Sequence, residues 1–92
     1  MDVELSQAAR EDIKAIARYT IEEFNAEQAG KYLSGLYHSF EILADNPLMG
    51  RLWSGRKRRY IYKSHIVYYR ILTNGIRITQ ILHASMRQPA QK

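Results

Sequence analysis

The amino-acid sequence predicts an α+β fold, in which a short N-terminal strand and an antiparallel two-helix hairpin precede a three-stranded antiparallel meander. The helices are expected to pack on one face of the sheet. Apolar residues recur at helical spacing through the first half of the chain. From Arg58 the apolar period changes to two, and the residues become β-branched and aromatic. Asn74-Gly75 lies between two of these alternating runs, as in a β-hairpin.

The first half is predicted to form one strand and two helices. The alternation in Asp2–Leu5 indicates a short strand with one buried face. Ser6 is a suitable N-cap for the first helix, because its hydroxyl can accept from an unpaired backbone N–H. Asn25 caps the second helix, which ends at Asp45–Pro47 because residues before proline avoid the α region. The buried stripes are expected to be Ala9, Ile13, Ile16, Ala17, Thr20 and Phe24, and then Ala29, Leu33, Leu36, Phe40 and Leu43.

The second half is predicted to form strands at about residues 58–63, 65–72 and 76–83. Asn-Gly readily adopts the positive φ angles of a type I′ turn, so Asn74-Gly75 is the predicted loop of the last hairpin. This loop would place Leu72 opposite Arg77. A second two-residue loop is predicted at Lys63-Ser64.

The predicted register divides the sheet into two faces. The face toward the helices would carry Tyr60, Val67, Tyr69, Ile71, Ile76, Ile78 and Leu82, with Gln80 its polar exception. The other face would carry Arg59, Ile61, Lys63, Ile66, Tyr68, Arg70, Arg77, Thr79, Ile81 and His83. An apolar floor crossed by Arg, Lys, Tyr and His indicates a binding groove. A slip of one residue would exchange the two faces.

Charge is segregated along the chain. Residues 1–45 hold nine acidic and four basic residues, whereas residues 46–92 hold ten basic residues and no acidic one. The net charge is therefore −5 in the first part and +10 in the second. Such a split indicates a surface that meets phosphates or an acidic protein segment.

Composition excludes several classes of site. The chain of 92 residues has no cysteine, which excludes a disulfide framework and Cys-ligated metal. The three histidines lack metal-ligand spacing, so no metal and no cofactor are expected. No apolar run is long enough to span a membrane, and the N-terminus lacks signal-peptide features, so a cytoplasmic protein is expected. Residues 1–92 are expected to form a single domain.

Two groups of residues could carry function. The first is the basic run Arg56, Lys57, Arg58 and Arg59 with Trp53 nearby, which could dock phosphates or acidic protein, or could simply be a solvated sheet edge. Trp53 could pin the loop or anchor an interface. The second group is Arg70, Arg77 and His83, which could serve a metal-free RNase as phosphate clamp and acid or base, or be ordinary strand residues.

The order of these elements resembles the ParE-type toxins of type II toxin–antitoxin modules, within the RelE/ParE superfamily. The matching segments are residues 8–13 (AAREDI), 27–29 (EQA), 43–51 (LADNPLMGR), 65–71 (HIVYYRI) and 81–86 (ILHASM). The resemblance implies a toxin that inhibits DNA gyrase, blocks replication and is neutralised by an acidic ParD-like antitoxin. Operator DNA would then be bound only through the antitoxin.

A RelE-type alternative is a ribosome-dependent mRNA endoribonuclease that uses Arg59, Arg70, Arg77 and His83. The tail after His83 contains no tyrosine, and this departure from the RelE pattern favours the ParE interpretation. An interaction module without toxicity is a third alternative. The residues expected to bind the target or the antitoxin are Arg56, Lys57, Arg58, Arg59, Trp53, Arg70, His83 and Arg87.

Overall fold

A computed structural model describes residues 2–85. The elements are β1 Asp2–Leu5, α1 Gln7–Glu23, α2 Ala26–Asp45, β2 Arg51–Ser54, β3 Lys57–Tyr62, β4 His65–Leu72 and β5 Gly75–His83. The strands form one sheet in the order β1-β5-β4-β3-β2, in which β1 is parallel to β5 and the other pairs are antiparallel. Apolar residues of both helices share one buried cluster with residues of β4 and β5. The predicted α+β architecture is confirmed.

Both helices begin at the predicted caps. The Ser6 hydroxyl accepts from the backbone N–H of Ala9 at 3.0 Å, and the Asn25 side chain accepts from the N–H of Gln28 at 2.8 Å. The predicted stripes are buried except at three positions: Ala17 and Leu33 are half-buried, and Phe24 is 66% exposed. Phe24 is the C-cap of α1, and its backbone is no longer helical, with φ −125° and ψ −88°. Helical spacing therefore does not direct its side chain toward the core.

The sheet contains a strand that was not predicted from the sequence. β2 pairs antiparallel with β3 and forms one edge of the sheet, so there are five strands rather than the predicted four. Its four residues are too few for an alternating pattern, and the register shifts between Leu52 and Ser54. A short, irregular edge strand is stabilised by pairing with its neighbour rather than by a periodicity that can be read in advance.

The last hairpin turns one residue earlier than predicted. Leu72 lies opposite Gly75, so the loop is Thr73-Asn74 and the pairing of Leu72 with Arg77 was wrong. Gly75 does not have a positive φ angle; instead it pairs with Asp2, and a Cβ there would collide with the Asp2 carbonyl. The glycine therefore permits a close approach of β1. The predicted Lys63-Ser64 loop is confirmed, and Lys63 has a φ of 49°.

A β-bulge in β5 exchanges the faces of its second half. Tyr69 lies opposite Ile78 and Tyr68 opposite Gln80, which leaves Thr79 as an extra residue. Beyond the bulge Ile81 belongs to the core cluster, and Gln80 and Leu82 share the face of Tyr68 and Ile66. The predicted placement of Gln80 and Leu82 toward the helices, and of Ile81 and His83 away from them, was wrong. Gln80, the polar exception of the face predicted to meet the helices, therefore lies on the other face.

Candidate functional site

The sheet face that points away from the helices carries a concentrated set of cations. We call it the open face. Across β2 and β3, Arg51 lies directly opposite Arg59, and across β4 and β5, Arg70 lies directly opposite Arg77. The same register, continued by one residue beyond Arg58 and Tyr69, brings Lys57 beside Arg70. Neighbouring strands are about 4.8 Å apart and same-face residues of a strand about 6.7 Å apart, so these five cations occupy one compact area.

The Arg59 guanidinium rests on the indole ring of Trp53. Its central carbon lies 4.0 Å from the ring centroid. Trp53 in turn makes an edge contact with the ring of Tyr68, with centroids 6.3 Å apart and planes at 64°. Because a planar guanidinium is held well by an aromatic face, this contact fixes the position of Arg59 on the open face. Tyr68 and Tyr69 are both fully buried, so they belong to the core.

Arg77 is the cation of this face with an acidic partner. Its Nη1 lies 3.0 Å from Oε1 of Glu4, which is the adjacent residue on β1. The two side chains are 43% and 53% exposed, so the pair is screened by solvent and contributes little to stability. Within residues 2–85, Arg51, Lys57, Arg59 and Arg70 make no ion pair with a carboxylate.

The predicted basic run does not act as one patch. Arg56 is exposed in the turn between β2 and β3, next to Gly55, whose φ is 56°. Arg58 points toward the helix side, where its Nη1 donates to the carbonyl of Gly50 at 2.6 Å. Lys57 and Arg59 belong to the open face. Arg87 lies outside the described residues.

His83 lies apart from the arginines with which it was grouped. The bulge turns it to the helix side, directly opposite His65, and the two imidazole centroids are 5.1 Å apart. Its Nδ1 accepts from the backbone N–H of Ser85 at 3.1 Å and lies 2.7 Å from the Ser85 hydroxyl. The predicted set of Arg59, Arg70, Arg77 and His83 is therefore divided between the two sides of the sheet.

The structure identifies a histidine cluster that sequence reasoning missed. Nδ1 of His65 is hydrogen-bonded to the hydroxyl of Tyr32 at 2.6 Å, and the Tyr32 ring makes an edge contact with Tyr62, with centroids 5.4 Å apart. Burial, followed by the nearby His83, lowers the pKa of His65 below its usual value. Burial raises the pKa of Tyr32, which a hydrogen bond with the Ser64 backbone partly opposes. A correct register would have paired the two histidines.

A groove runs along α1 past the two histidines. One cavity of about 390 Å³ lies between α1 and the end of β5, lined by Ile16, Tyr19, Ile81 and His83 among others. A second, of about 400 Å³, shares Tyr19, His65 and His83 and continues toward α2. Asp12 fixes the groove floor, because its carboxylate accepts from the Ile81 N–H at 2.8 Å.

The described part of the chain offers no metal-binding cluster of three or more His, Cys, Asp or Glu side chains. None of its helices is long and apolar enough to cross a membrane. The guanidinium groups of the open face can bind anions, and the groove can bury apolar side chains beside two imidazoles.

Comparisons with known proteins agree with one another. The profile of the family described as ParE toxin of type II toxin-antitoxin system, parDE, matches residues 3–88. The chain is 36% identical over 92 residues to Toxin ParE1 of Caulobacter vibrioides, which covers 94% of this chain and 92% of that relative. It is 31% identical over 86 residues to Toxin ParE1 of Mycobacterium tuberculosis, covering 89% and 88%. A solved structure described as the chromosomal ParDE TA system from P. aeruginosa has the same fold, with a TM-score of 0.80, 19% identity and coverage of 92% of this chain and 97% of that one.

Proposed function

This chain belongs to the ParE toxin family of type II toxin–antitoxin systems, and from that premise we propose that it inhibits DNA gyrase and so blocks replication. In this proposal the toxin binds gyrase and traps it on DNA, and its own side chains make and break no bonds. Action on gyrase places the toxin in the cytoplasm. Specific recognition of operator DNA is left to the antitoxin.

The observation that supports inhibition over RNA cleavage is the separation of His83 from the arginines. In a metal-free RNase, the acid or base and the phosphate clamp must reach the same phosphodiester. His83 faces the helices, whereas Arg70 and Arg77 lie on the open face. The sheet lies between His83 and the arginines, so the four residues named for the RelE-type alternative cannot act on one phosphodiester. The two histidines that do lie together are placed beside an apolar groove rather than beside the cations.

The proposal is tested with purified gyrase and relaxed plasmid. Added toxin should reduce supercoiling and cause cleaved gyrase–DNA complexes to accumulate, and preincubation with the antitoxin should prevent both effects. The controls are one gyrase reaction without toxin and one with toxin that has been inactivated by heating. Supercoiling that stays unchanged at a large molar excess of folded toxin would contradict the proposal.

The endoribonuclease alternative is separated from this one in cells. After induction without antitoxin, gyrase inhibition should stop DNA synthesis before protein synthesis falls, and His83→Ala should retain that order of events. A ribosome-dependent RNase would instead stop translation first and cut mRNA in register with codons, and His83→Ala would remove the cuts.

We also propose that the ParD-like antitoxin covers the groove along α1. The groove combines apolar lining residues such as Ile16 and Tyr19 with Lys31 and Lys63 at its margin, which suits an amphipathic segment carrying acidic residues. Tyr19 is 56% exposed and lines both cavities, so Tyr19→Ala should weaken antitoxin binding. Tyr37→Ala, at a 45% exposed tyrosine of α2 away from these cavities, is the matched control. Equal affinities of the two variants in titration calorimetry would rule out this location.

A further inference from the structure

We propose that the open face is a binding site for the phosphate backbone of duplex DNA, through which the toxin contacts DNA directly. Phosphate binding by this face goes beyond the proposed function. The choice of duplex DNA as the ligand rests on the proposed function, because gyrase acts on duplex DNA. Phosphate contacts carry no sequence information, so operator recognition stays with the antitoxin.

The first argument is the pairing of like charges. Arg51 lies opposite Arg59, and Arg70 lies opposite Arg77, on neighbouring strands of one sheet face. Like charges directly opposite one another destabilise a sheet. Folding by itself gains nothing from the Arg51–Arg59 pair, and in the Arg70–Arg77 pair Glu4 already offsets part of the repulsion. A polyanion bound across both pairs would relieve the repulsion that remains. The face is therefore organised for a ligand that carries several negative charges.

The second argument is the position of the acids on the open face. Among residues 2–85 they are Asp2 and Glu4, and both lie on β1 at the far edge of the sheet. Glu4 is engaged by Arg77, and Asp2 accepts from the Asn74 amide at 2.8 Å. The cations on β2, β3 and β4 are thus left without carboxylate partners inside the described chain. An anionic ligand from outside the described chain would neutralise them.

The density of charge favours nucleic acid over protein as that partner. Protein–DNA interfaces are much more positively charged than protein–protein interfaces. Four of the five cations are arginines, whose planar guanidinium groups hold phosphate oxygens in pairs. The groove along α1, by contrast, has the apolar lining that a protein segment requires. The two surfaces lie on opposite sides of the sheet and can be occupied together.

Trp53 is a positioning residue in this site. Its ring supports the Arg59 guanidinium at 4.0 Å, which restricts the motion of a long side chain before the ligand arrives. Trp53→Ala should therefore weaken DNA binding while leaving the number of phosphate contacts, and hence the salt dependence, almost unchanged. Loss of a cation, in contrast, should change both.

The test is fluorescence anisotropy of a labelled DNA duplex, titrated with toxin released from its antitoxin, over a series of salt concentrations and without gyrase. With about four phosphate contacts, the logarithm of the association constant should fall with the logarithm of salt with a slope near −3.6, or roughly a hundredfold between 50 and 200 mM. Arg51→Gln and Arg70→Gln should each reduce the magnitude of the slope by about 0.9. Circular dichroism would confirm that each variant is folded.

Arg18→Gln supplies the matched control, because Arg18 is an exposed cation of α1 and its loss changes the net charge equally. It should leave the slope unchanged. Binding of wild type, Arg51→Gln and Arg70→Gln with one common slope would overturn the proposal. A polyglutamate peptide serves as a second probe, in place of an acidic protein. If Arg51→Gln and Arg70→Gln weaken binding of polyglutamate but not of DNA, the face is assigned to an acidic protein and the proposal is overturned. A single-stranded RNA of equal length that binds more tightly than the duplex would overturn the choice of DNA.

Failure of this proposal and failure of the proposed function are distinguishable. If the toxin does not bind duplex DNA but still inhibits gyrase, it acts through protein contacts alone. Salt-dependent DNA binding by a toxin that does not affect gyrase would keep the phosphate site and remove the reason for choosing duplex DNA.

Discussion

The phenol of Tyr69 donates a hydrogen bond to the carbonyl of Pro47 at 2.6 Å, which ties the centre of the sheet to the loop that leaves α2. The same hydroxyl accepts from the backbone N–H of Gly50 at 2.9 Å, and Arg58 donates to the Gly50 carbonyl. Burial raises the pKa of Tyr69, which the Gly50 hydrogen bond and the charge of Arg58 oppose. These contacts determine where β2 begins, and so where Arg51 and Trp53 stand on the open face.

Tyr69→Phe should destabilise the fold by about 1–3 kcal/mol, because the buried Gly50 N–H and the half-buried Pro47 carbonyl lose their partner. Urea unfolding would measure the change, with a lower midpoint at an unchanged slope. Tyr37→Phe removes a hydroxyl from a 45% exposed side chain and should stay within about 0.5 kcal/mol of wild type. Equal effects of the two substitutions would refute a structural role for the Tyr69 hydroxyl.

Two glycines should respond to alanine in opposite directions. A Cβ at Gly50 would collide with the buried Tyr69 ring, so Gly50→Ala should cost about 1–3 kcal/mol. Gly30 lies inside α2 with no atom within 4 Å of such a Cβ, so Gly30→Ala should stabilise by about 0.5–1 kcal/mol. Thermal unfolding of the two variants beside wild type checks both signs. A stabilised Gly50→Ala variant would show that the loop can move away from Tyr69.

Asp12 is expected to support the second half of β5. Its carboxylate accepts from the Ile81 N–H, which lies beyond the part of β5 that pairs with β1. Asp12→Ala should leave that N–H without an acceptor and cost about 1–3 kcal/mol, with faster amide hydrogen exchange at Ile81. Glu11→Ala, on the exposed side of the same turn, serves as the control. Unchanged exchange at Ile81 would contradict this role.

Stability should decrease as the pH falls below about 6.5, the ordinary pKa of histidine. His65 has a lowered pKa in the folded state, so on acidification the unfolded chain takes up this proton first and unfolding is favoured. The loss should grow until the pH passes the folded pKa and then level off. The groups in contact with His65 are Tyr32 and His83, both of which remain in place in the test.

Urea unfolding between pH 7.5 and pH 5 checks this expectation. His65→Gln should flatten the dependence in that window, whereas His38→Gln, at an exposed histidine of α2, should not. A His65→Gln variant with the same pH dependence as wild type would assign the effect to other groups.

Much of the fold was predictable, because it depends on local chemistry. Ser6 and Asn25 cap their helices through contacts within three residues, and Lys63-Ser64 forms the predicted turn. The resemblance to ParE toxins, which rested on short motifs in a fixed order, is confirmed by the family match over residues 3–88. Contacts between residues close in sequence leave a pattern that can be read without a structure.

The candidate site was predictable only in part. Lys57, Arg59, Arg70 and Arg77 were among the predicted site residues, whereas Arg51 was not, because β2 was not predicted. His83 was assigned to the wrong side of the sheet, and its contact with His65 was not predicted. The extra residue at Thr79 reverses the side of His83, and together with the earlier turn at Thr73-Asn74 it sets the pairing with His65. The bulge is held by long-range contacts, since the Ser6 hydroxyl donates to the Thr79 carbonyl at 2.8 Å and Asp12 accepts from Ile81. Nothing within the strand itself specifies them.

The sequence by itself determined the elements, their order and the segregation of charge, because composition, periodicity and capping act over a few residues. The tertiary structure alone decided which side chains meet. Side chains alternate along a strand with a period of two, so one inserted residue moves every later side chain to the other face. That single displacement separates His83 from the arginines, moves it to the side of the sheet on which His65 lies and leaves the cations of the open face without a histidine.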